Sequence, residues 1–204
     1  MAARTVSVPP ERMARWLANF GDRHEGCSLT TADGCLVAWG SDGAHAALTL
    51  PFSRSYDGPA DAAAFTAAAA PPRRWGVLLV RKGGFAVALL AADRVMDSKV
   101  GQRHVQGRTK AGGQSQQRFA RRRENQARVA YQAAADHAAR LLSGIEALVC
   151  GGDRAAVAAV LADQRLAGCA DRRVGPWLPV PDPRRRVLDE AVQEARSCRA
   201  SITD

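Results

Sequence analysis

GRTKAGGQSQQRFARRRE, residues 107–124, joins a glycine-rich turn to a run of arginines. The adjacent glycines Gly112 and Gly113 allow backbone conformations with positive φ and a close approach to another surface. Gln114 follows them with a side-chain amide that both donates and accepts hydrogen bonds. The arginines beyond it are suited to binding phosphate. The stretch therefore predicts a glutamine-bearing tip, residues 106–115, at the start of a phosphate-binding helix.

The positive charge of the chain is concentrated around this stretch. The 204 residues carry a formal net charge of +9, with a sequence pI of about 10.2. Nine basic residues lie between residues 99 and 128 beside one acid, Glu124, and the rest of the chain is close to neutral. Such a segment favours an anionic partner, and we expect RNA. The candidate RNA-binding residues are Arg108, Lys110, Arg118, Arg121, Arg122, Arg123 and Arg128.

The overall composition is that of an ordinary globular protein, with 47% hydrophobic and 24% charged residues. Only 5% of the residues are aromatic, which disfavours RNA binding through a platform of stacked rings. The first ten residues lack an apolar signal-peptide core, and no run of about 18 apolar residues occurs. We therefore expect a cytoplasmic protein that binds neither membrane nor DNA.

The cysteines and histidines give no sign of a metal site. The five cysteines are widely spaced and odd in number, so neither a disulfide framework nor a CxxC ligand pair is indicated. The four histidines also lack metal-ligand spacing. We expect reduced thiols and no metal or cofactor. The cysteines are Cys27, Cys35, Cys150, Cys169 and Cys198.

The first 72 residues predict a small N-terminal α/β subdomain. Residues 5–8 alternate like a strand, and residues 9–21 show the apolar spacing of a helix. Residues 27–50 contain short apolar pieces separated by two Asp-Gly turn signals, which predicts an antiparallel meander. Residues 53–72 predict a loop, a short helix and a boundary. The sequence leaves open whether this part is a separate domain, and what it binds.

Residues 73–204 predict a second domain, in which strands alternate with helices. Such a mixture indicates an α/β (α+β) fold with a mixed β-sheet flanked by helices. Gly151-Gly152-Asp153 could cradle a phosphate, but a tight turn with Asp153 as helix N-cap is the better interpretation. The predicted elements are strands at residues 74–80, 85–91 and 93–105, a long helix from about residue 115 to residue 143, a strand at 147–150, a helix at 154–161, an extended stretch at 176–183 and a last helix at 184–198.

The pattern of residues 112–123 resembles the signature of a known family. It matches Gly-Gly-Gln-Ser-x-x-Arg-Phe-Ala-Arg-x-Arg, found in the catalytic domain of eukaryotic and archaeal type peptide-chain release factors. The resemblance covers roughly residues 73–200 and includes the order of the predicted elements. Within the family the chain looks most like the Vms-like release factors. The identities are Gly112, Gly113, Gln114, Ser115, Arg118, Phe119, Ala120, Arg121 and Arg123.

This resemblance implies hydrolysis of the ester between a nascent peptide and its tRNA. Gln114 would be the catalytic residue, with Gly112 and Gly113 shaping the tip, and the basic residues would bind rRNA and tRNA. Since an amide has no useful pKa, Gln114 would position water or stabilise developing charge. Residues 1–72 contain no codon-reading motif that we can identify, so we expect codon-independent release on stalled large ribosomal subunits.

Two other functions remain open from the sequence alone. A non-catalytic module of release-factor shape could use the basic helix to bind rRNA or tRNA, because an arginine run needs no catalytic partner. An enzyme for free peptidyl-tRNA in solution would carry the same tip. Neither the oligomeric state nor the means of recruitment to ribosomes can be read from the sequence.

Overall fold

The computed structural model of the protein describes residues 4–102 and 128–203. The strands are β1 (Arg4–Val8), β2 (Cys27–Ala32), β3 (Cys35–Gly40), β4 (His45–Thr49), β5 (Trp75–Arg81), β6 (Gly84–Ala91), β7 (Arg94–Gln102), β8 (Ala147–Gly152), β9 (Arg173–Leu178) and β10 (Cys198–Thr203). The α-helices are α1 (Met13–Arg23), α2 (Ala62–Ala68), α3 (residues 128–141), α4 (Arg154–Leu161), α5 (Ala167–Ala170) and α6 (Arg185–Arg196), with short 3-10 helices at Pro10–Arg12 and Gln164–Leu166.

The chain divides into two compact units. Unit 1 consists of Met1–Pro71 together with Val192–Asp204, and unit 2 consists of Pro72–Ala191. From the sequence we expected every residue after 72 to belong to the second domain. The C-terminal residues instead group with unit 1, because β10 is one of the strands of its sheet.

Unit 1 contains an antiparallel sheet in the order β1-β10-β4-β3-β2. The predicted meander of residues 27–50 is confirmed as β2, β3 and β4, which pair in succession. Asp33 and Gly34 make the first turn, both with positive φ. The inner face packs on α1 and α2 around Met13, Leu36 and Phe65. The strand β10 was not predicted, and the last helix was wrongly expected to continue to residue 198.

Unit 2 contains a mixed sheet in the order β7-β6-β5-β8-β9, which confirms the predicted fold class. β6 is antiparallel to β5 and β7, whereas β8 is parallel to β5 and β9. Four strands, β5, β7, β8 and β9, therefore run in the same direction. We call the edge at which they end the carboxyl edge, and the edge at which they begin the amino edge.

Helices cover one face of this sheet and form the core of unit 2. Val80, Phe85 and Leu148 pack there with residues of α3 and α4. The apolar spacing of the predicted long helix indicates a buried stripe, and over the described residues this is confirmed, because Ala130, Ala134, Ala138, Leu141 and Leu142 are buried. The α4 helix has the bounds predicted for it. No helix in the described part of the chain is long and apolar enough to cross a membrane.

The extended stretch predicted at residues 176–183 is displaced in the structure. The strand there, β9, begins earlier, at Arg173, and ends at Leu178. The sequence suggested that Pro176 starts an extended loop. A proline is tolerated inside β9 because β9 is an edge strand of the sheet.

Candidate functional site

Most of the predicted site residues lie outside the described residues. They are Gly112, Gly113, Gln114, Arg108, Lys110, Arg118, Arg121, Arg122 and Arg123. Arg128 is described, and its side chain is exposed in α3. The structure therefore describes the elements on either side of residues 103–127, which are β7 before them and α3 after them.

Both ends of this segment join unit 2 at its carboxyl edge. β7 ends at Gln102, which pairs with Gly84 at the start of β6. The end of α3 lies near the amino edge, because Arg74, just before β5, donates a hydrogen bond from Nε to the carbonyl oxygen of Ser143 (3.0 Å). The described start of α3 consequently lies toward the carboxyl edge. Residues 103–127 thus connect two elements that both pack on the core.

A groove of about 280 Å³ lies between the start of α3 and the strands β6 and β7. The ring of His137 stacks on the ring of Phe85, with 5.7 Å between centroids and 29° between planes. Gly101 lies against Phe85, and a Cβ at that position would collide with the ring. The exposed side chains of Lys99 and Val129 line the groove as well. This packing fixes α3 against the last residues of β7.

Charged side chains hold α3 on its other side. Arg165 bonds to Asp136 of α3 at 2.6 Å and to Asp163 at 2.7 Å, both through Nη2. These hydrogen bonds lower the pKa of Asp163 to about 2 and also lower the pKa of Asp136. Asp163 in addition caps the short helix that contains Arg165, by accepting from its backbone N–H (3.0 Å). The network links α3 to the connection after α4.

At the turn Gly151-Gly152-Asp153 the backbone donors of the helix start bind a side chain of the chain itself, so they are not left for a phosphate. The carboxylate of Asp153 accepts hydrogen bonds from the backbone N–H groups of Ala155 (2.9 Å) and Ala156 (3.1 Å). A Cβ on Gly151 would lie 2.5 Å from the carbonyl oxygen of Leu178. The interpretation as a tight turn with an Asp N-cap is confirmed.

Two buried cysteines, Cys150 and Cys198, are not suited to nucleophilic catalysis. Burial raises the pKa of Cys150 to about 12 and that of Cys198 to about 12. A thiol with such a pKa is almost wholly protonated near neutrality. Among the described residues, no group of three or more His, Cys, Asp and Glu side chains could hold a metal ion.

Sequence reasoning missed a second set of basic residues at the carboxyl edge. Arg81 ends β5, Lys82 follows it in the turn to β6, and Arg154 opens α4 directly after β8. In the sequence they looked like a turn and an ordinary helix start. The available signal was the α/β pattern itself, because parallel strands bring their carboxyl ends to one edge.

The framework and the sequence together define a class of protein. A hairpin and a strand precede the Gly-Gly-Gln segment, α3 follows it, and further β and α elements complete a mixed sheet, which is the order that the resemblance to release-factor catalytic domains implies. A family model described as Actinobacteria/chloroflexi VLRF1 release factor matches residues 73–201. The chain therefore belongs to this release-factor family.

Solved structures that match the chain do so at low sequence identity. The "Vms1 mitochondrial localization core" is 14% identical, with a TM-score of 0.44 over 96% of this chain and 81% of that one. The archaeal translation termination factor aRF1 is 12% identical, with a TM-score of 0.40 over 95% of this chain and 65% of that one. A structure titled "Archaeal protein" is 13% identical, with a TM-score of 0.38 over 96% and 68% of the two chains. No curated protein matches the chain by sequence.

Proposed function

We propose that this protein is a codon-independent release factor, a peptidyl-tRNA hydrolase acting in the cytoplasm on stalled large ribosomal subunits. The observation that carries the proposal is the Gly-Gly-Gln-Ser-x-x-Arg-Phe-Ala-Arg-x-Arg sequence at residues 112–123. It falls inside the range matched by the release-factor family model, residues 73–201. Membership of that family makes the ribosome and tRNA the natural partners.

The reaction requires water to attack the carbonyl carbon of the ester that joins the peptide to tRNA. The carbon–oxygen bond to the tRNA ribose breaks, the peptide leaves as a carboxylic acid, and the ribose hydroxyl takes up a proton. Gln114 cannot act as a general base near neutrality, because its amide does not titrate. Its role is to hold the water in line and to hydrogen-bond the oxygen that develops negative charge.

The described framework suits this role because it supports the segment from both sides. β7 is paired along β6 up to its last residue, and α3 is fixed by the Phe85–His137 stack and by the Asp136–Arg165 bond. A catalytic group needs supporting elements that do not shift during the reaction. In this proposal Gly112 and Gly113, which have no side chains, keep the tip narrow. The basic residues from Arg108 to Arg128 bind rRNA and tRNA phosphates.

The proposal is tested by incubating the purified protein with large subunits that carry a labelled peptidyl-tRNA, and in parallel with the same peptidyl-tRNA free in solution. We expect release of the peptide on the subunits, well above the buffer control and well above the rate with free substrate. Equal rates in both arms would identify an enzyme for free peptidyl-tRNA instead.

The competing function is a non-catalytic RNA-binding module of the same shape. Cosedimentation with large subunits separates it from the hydrolase, because binding without any release of peptide would support the module. Substitution of Gly113 or Gln114 should abolish release while cosedimentation persists. If these substitutions change binding alone, the catalytic role assigned to the tip is wrong.

A further inference from the structure

We propose that the carboxyl edge of unit 2 is a second RNA-phosphate-binding surface, in which Arg81, Lys82 and Arg154 contact the RNA that the Gly-Gly-Gln segment enters. Arg81, Lys82 and Arg154 lie outside residues 99–128, the stretch of sequence in which the net positive charge is concentrated. The inference rests on the proposed function only in taking ribosome-associated RNA as the ligand.

The topology of the sheet brings these residues to the edge at which β7 ends, just before the Gly-Gly-Gln segment in the chain. β5, β7 and β8 run in the same direction, so Arg81, Gln102 and Gly152 all end strands at the carboxyl edge. Lys82 directly follows the end of β5, and Arg154 follows the end of β8 with only Asp153 between. An RNA strand that contacts the base of the segment would therefore meet them at the same edge.

A groove of about 590 Å³ lies along this edge. It is open to solvent, and its lining combines a cation, an aromatic ring and backbone. The lining residues are Arg81, Gly152, Trp177, Pro179, Val180, Pro181 and Asp182.

Arg154 is held in position without an acidic partner. Its guanidinium carbon lies 4.4 Å from the centroid of the Trp177 ring, and among the described residues it forms no ion pair. It is the first residue of α4, whose first turn contains no acidic residue. A cation is unfavourable at a helix N-terminus, where the macrodipole attracts anions. Because the Asp153 carboxylate already accepts from the N–H groups of Ala155 and Ala156, a phosphate bound here would pair with the guanidinium of Arg154.

Arg81, which lines the groove, and Lys82, the next residue in the chain, add charge at this edge. Arg81 donates from Nη1 to the carbonyl oxygen of Val180 (2.9 Å), which fixes its side chain. Its Nε lies 3.6 Å from Oδ1 of Asp182, and the two side chains are 45% and 66% exposed, so this ion pair is weak. Lys82 is exposed in the turn.

The acidic groups at this edge leave the surface positive. Asp153 and Asp182 place two negative charges against the three cations Arg81, Lys82 and Arg154, so one positive charge remains. Lys99 and Arg128, both exposed, continue the positive surface toward the segment. A row of cations next to an RNA-binding segment is better suited to a polyanion than to a single small anion.

The test compares two doubly substituted proteins of equal net charge. One is Lys82→Glu with Arg154→Glu at the carboxyl edge, and the other is Arg94→Glu with Arg172→Glu at the amino edge. Arg81 is left in place because it also bonds the backbone at Val180. Circular dichroism and thermal unfolding of each variant show whether its fold is intact, and the neutral pair Lys82→Gln with Arg154→Gln serves if the charge reversal misfolds.

The measurement is the dissociation constant for isolated large subunits over a series of salt concentrations, together with the release rate at saturating protein. We expect the carboxyl-edge variant to bind roughly tenfold or more weakly at low salt, with the salt slope reduced by about two. Its saturated release rate should stay within about twofold of the wild type, because the groove only binds RNA. The amino-edge variant should bind like the wild type.

Equal binding by the wild type and the carboxyl-edge variant would overturn the inference, as would equal weakening in both variants. If the true ligand of this edge is an acidic protein, the carboxyl-edge variant should bind large subunits as tightly as the wild type, because its contact with the RNA would not change. If the wild type binds through this edge but releases no peptide, the proposed function fails and the inference stands. If the wild type releases peptide and substitution at this edge has no effect, the inference fails and the proposed function stands.

Discussion

Gly152 shows how tightly single residues are constrained at the carboxyl edge. Its φ is +92°, and a Cβ there would collide with the carbonyl oxygen of Val80. The turn could be predicted from the sequence, since Gly-Gly-Asp after an apolar run is a clear local signal. The close approach of β5 to the turn could not, because that contact joins residues about 70 positions apart in the chain.

We expect Gly152→Ala to destabilise the protein by about 2 kcal/mol or more, because it combines backbone strain with a steric collision. Gly168→Ala is the matched control, since Gly168 is helical and a Cβ there has nothing within 4 Å. That substitution should leave stability equal or slightly raised. Urea unfolding of the three proteins is the measurement, and equal midpoints would contradict this explanation of the turn.

At the level of elements, α3 is the helix that follows the Gly-Gly-Gln segment in the chain and packs on the core of unit 2. The apolar spacing predicted its buried stripe, and the structure confirms that stripe from Ala130 to Leu142. The Asp136–Arg165 bond could not be predicted, because the two residues are 29 positions apart and lie on different helices. Such ion pairs depend on tertiary packing.

We expect Arg165→Met to lower stability in a pH-dependent way. In the folded protein Arg165 lowers the pKa of Asp163 from its ordinary 3.8 to about 2, so the carboxylate is stabilised in the folded state. This stabilisation is complete above about pH 5 and disappears as the pH falls from about 4 to 2. The thermal midpoints of wild type and variant should differ most near neutrality and converge in acid.

The control for this prediction is Arg186→Met, which removes an exposed i,i+4 ion pair with Glu190 at 3.6 Å. Exposed pairs of this kind contribute little, so the variant should unfold like the wild type at every pH. A constant difference between Arg165→Met and the wild type from pH 7 down to pH 2 would show that the stabilisation does not come from the carboxylates.

In the molecule as a whole, the C-terminal strand is the feature that sequence reasoning missed. The helical spacing of α6 continues to Ala195, and no glycine or proline separates it from β10. Cys198, Ala200 and Ile202 do alternate as in a strand, and all three are buried. Their partners, β1 and β4, lie about 150 residues or more earlier in the chain, so only the fold identifies the strand.

We expect deletion of residues 198–204 to unfold unit 1. β10 lies between β1 and β4, so its loss leaves both strands without a partner on that side and exposes the core around Leu48. Hydrogen exchange should show loss of protection in β1, β3 and β4. Deletion of residues 1–8 removes only the edge strand β1 and should have a smaller effect. Unchanged protection after the C-terminal deletion would contradict this role of β10.

The charge pattern of the whole chain was only partly readable from the sequence. The basic run at residues 99–128 is local and could be found by inspection. Arg154 is far in sequence from the adjacent Arg81 and Lys82, and only the parallel pairing of β5 with β8 brings it to the same edge of the sheet. Family membership likewise follows from the sequence, whereas the framework that holds the segment required the structure.

The proposed function depends above all on Gln114, which we expect to assist the chemistry of ester hydrolysis rather than binding. The decisive measurement is the single-turnover rate of peptide release on large subunits at saturating protein. It compares Gln114→Ala with Gln117→Ala, a nearby glutamine outside the family signature. We expect a loss of roughly a hundredfold or more for Gln114→Ala, as for other well-placed hydrogen-bond donors, and a nearly unchanged rate for Gln117→Ala. Release by Gln114→Ala at the wild-type rate would contradict the catalytic role of this side chain.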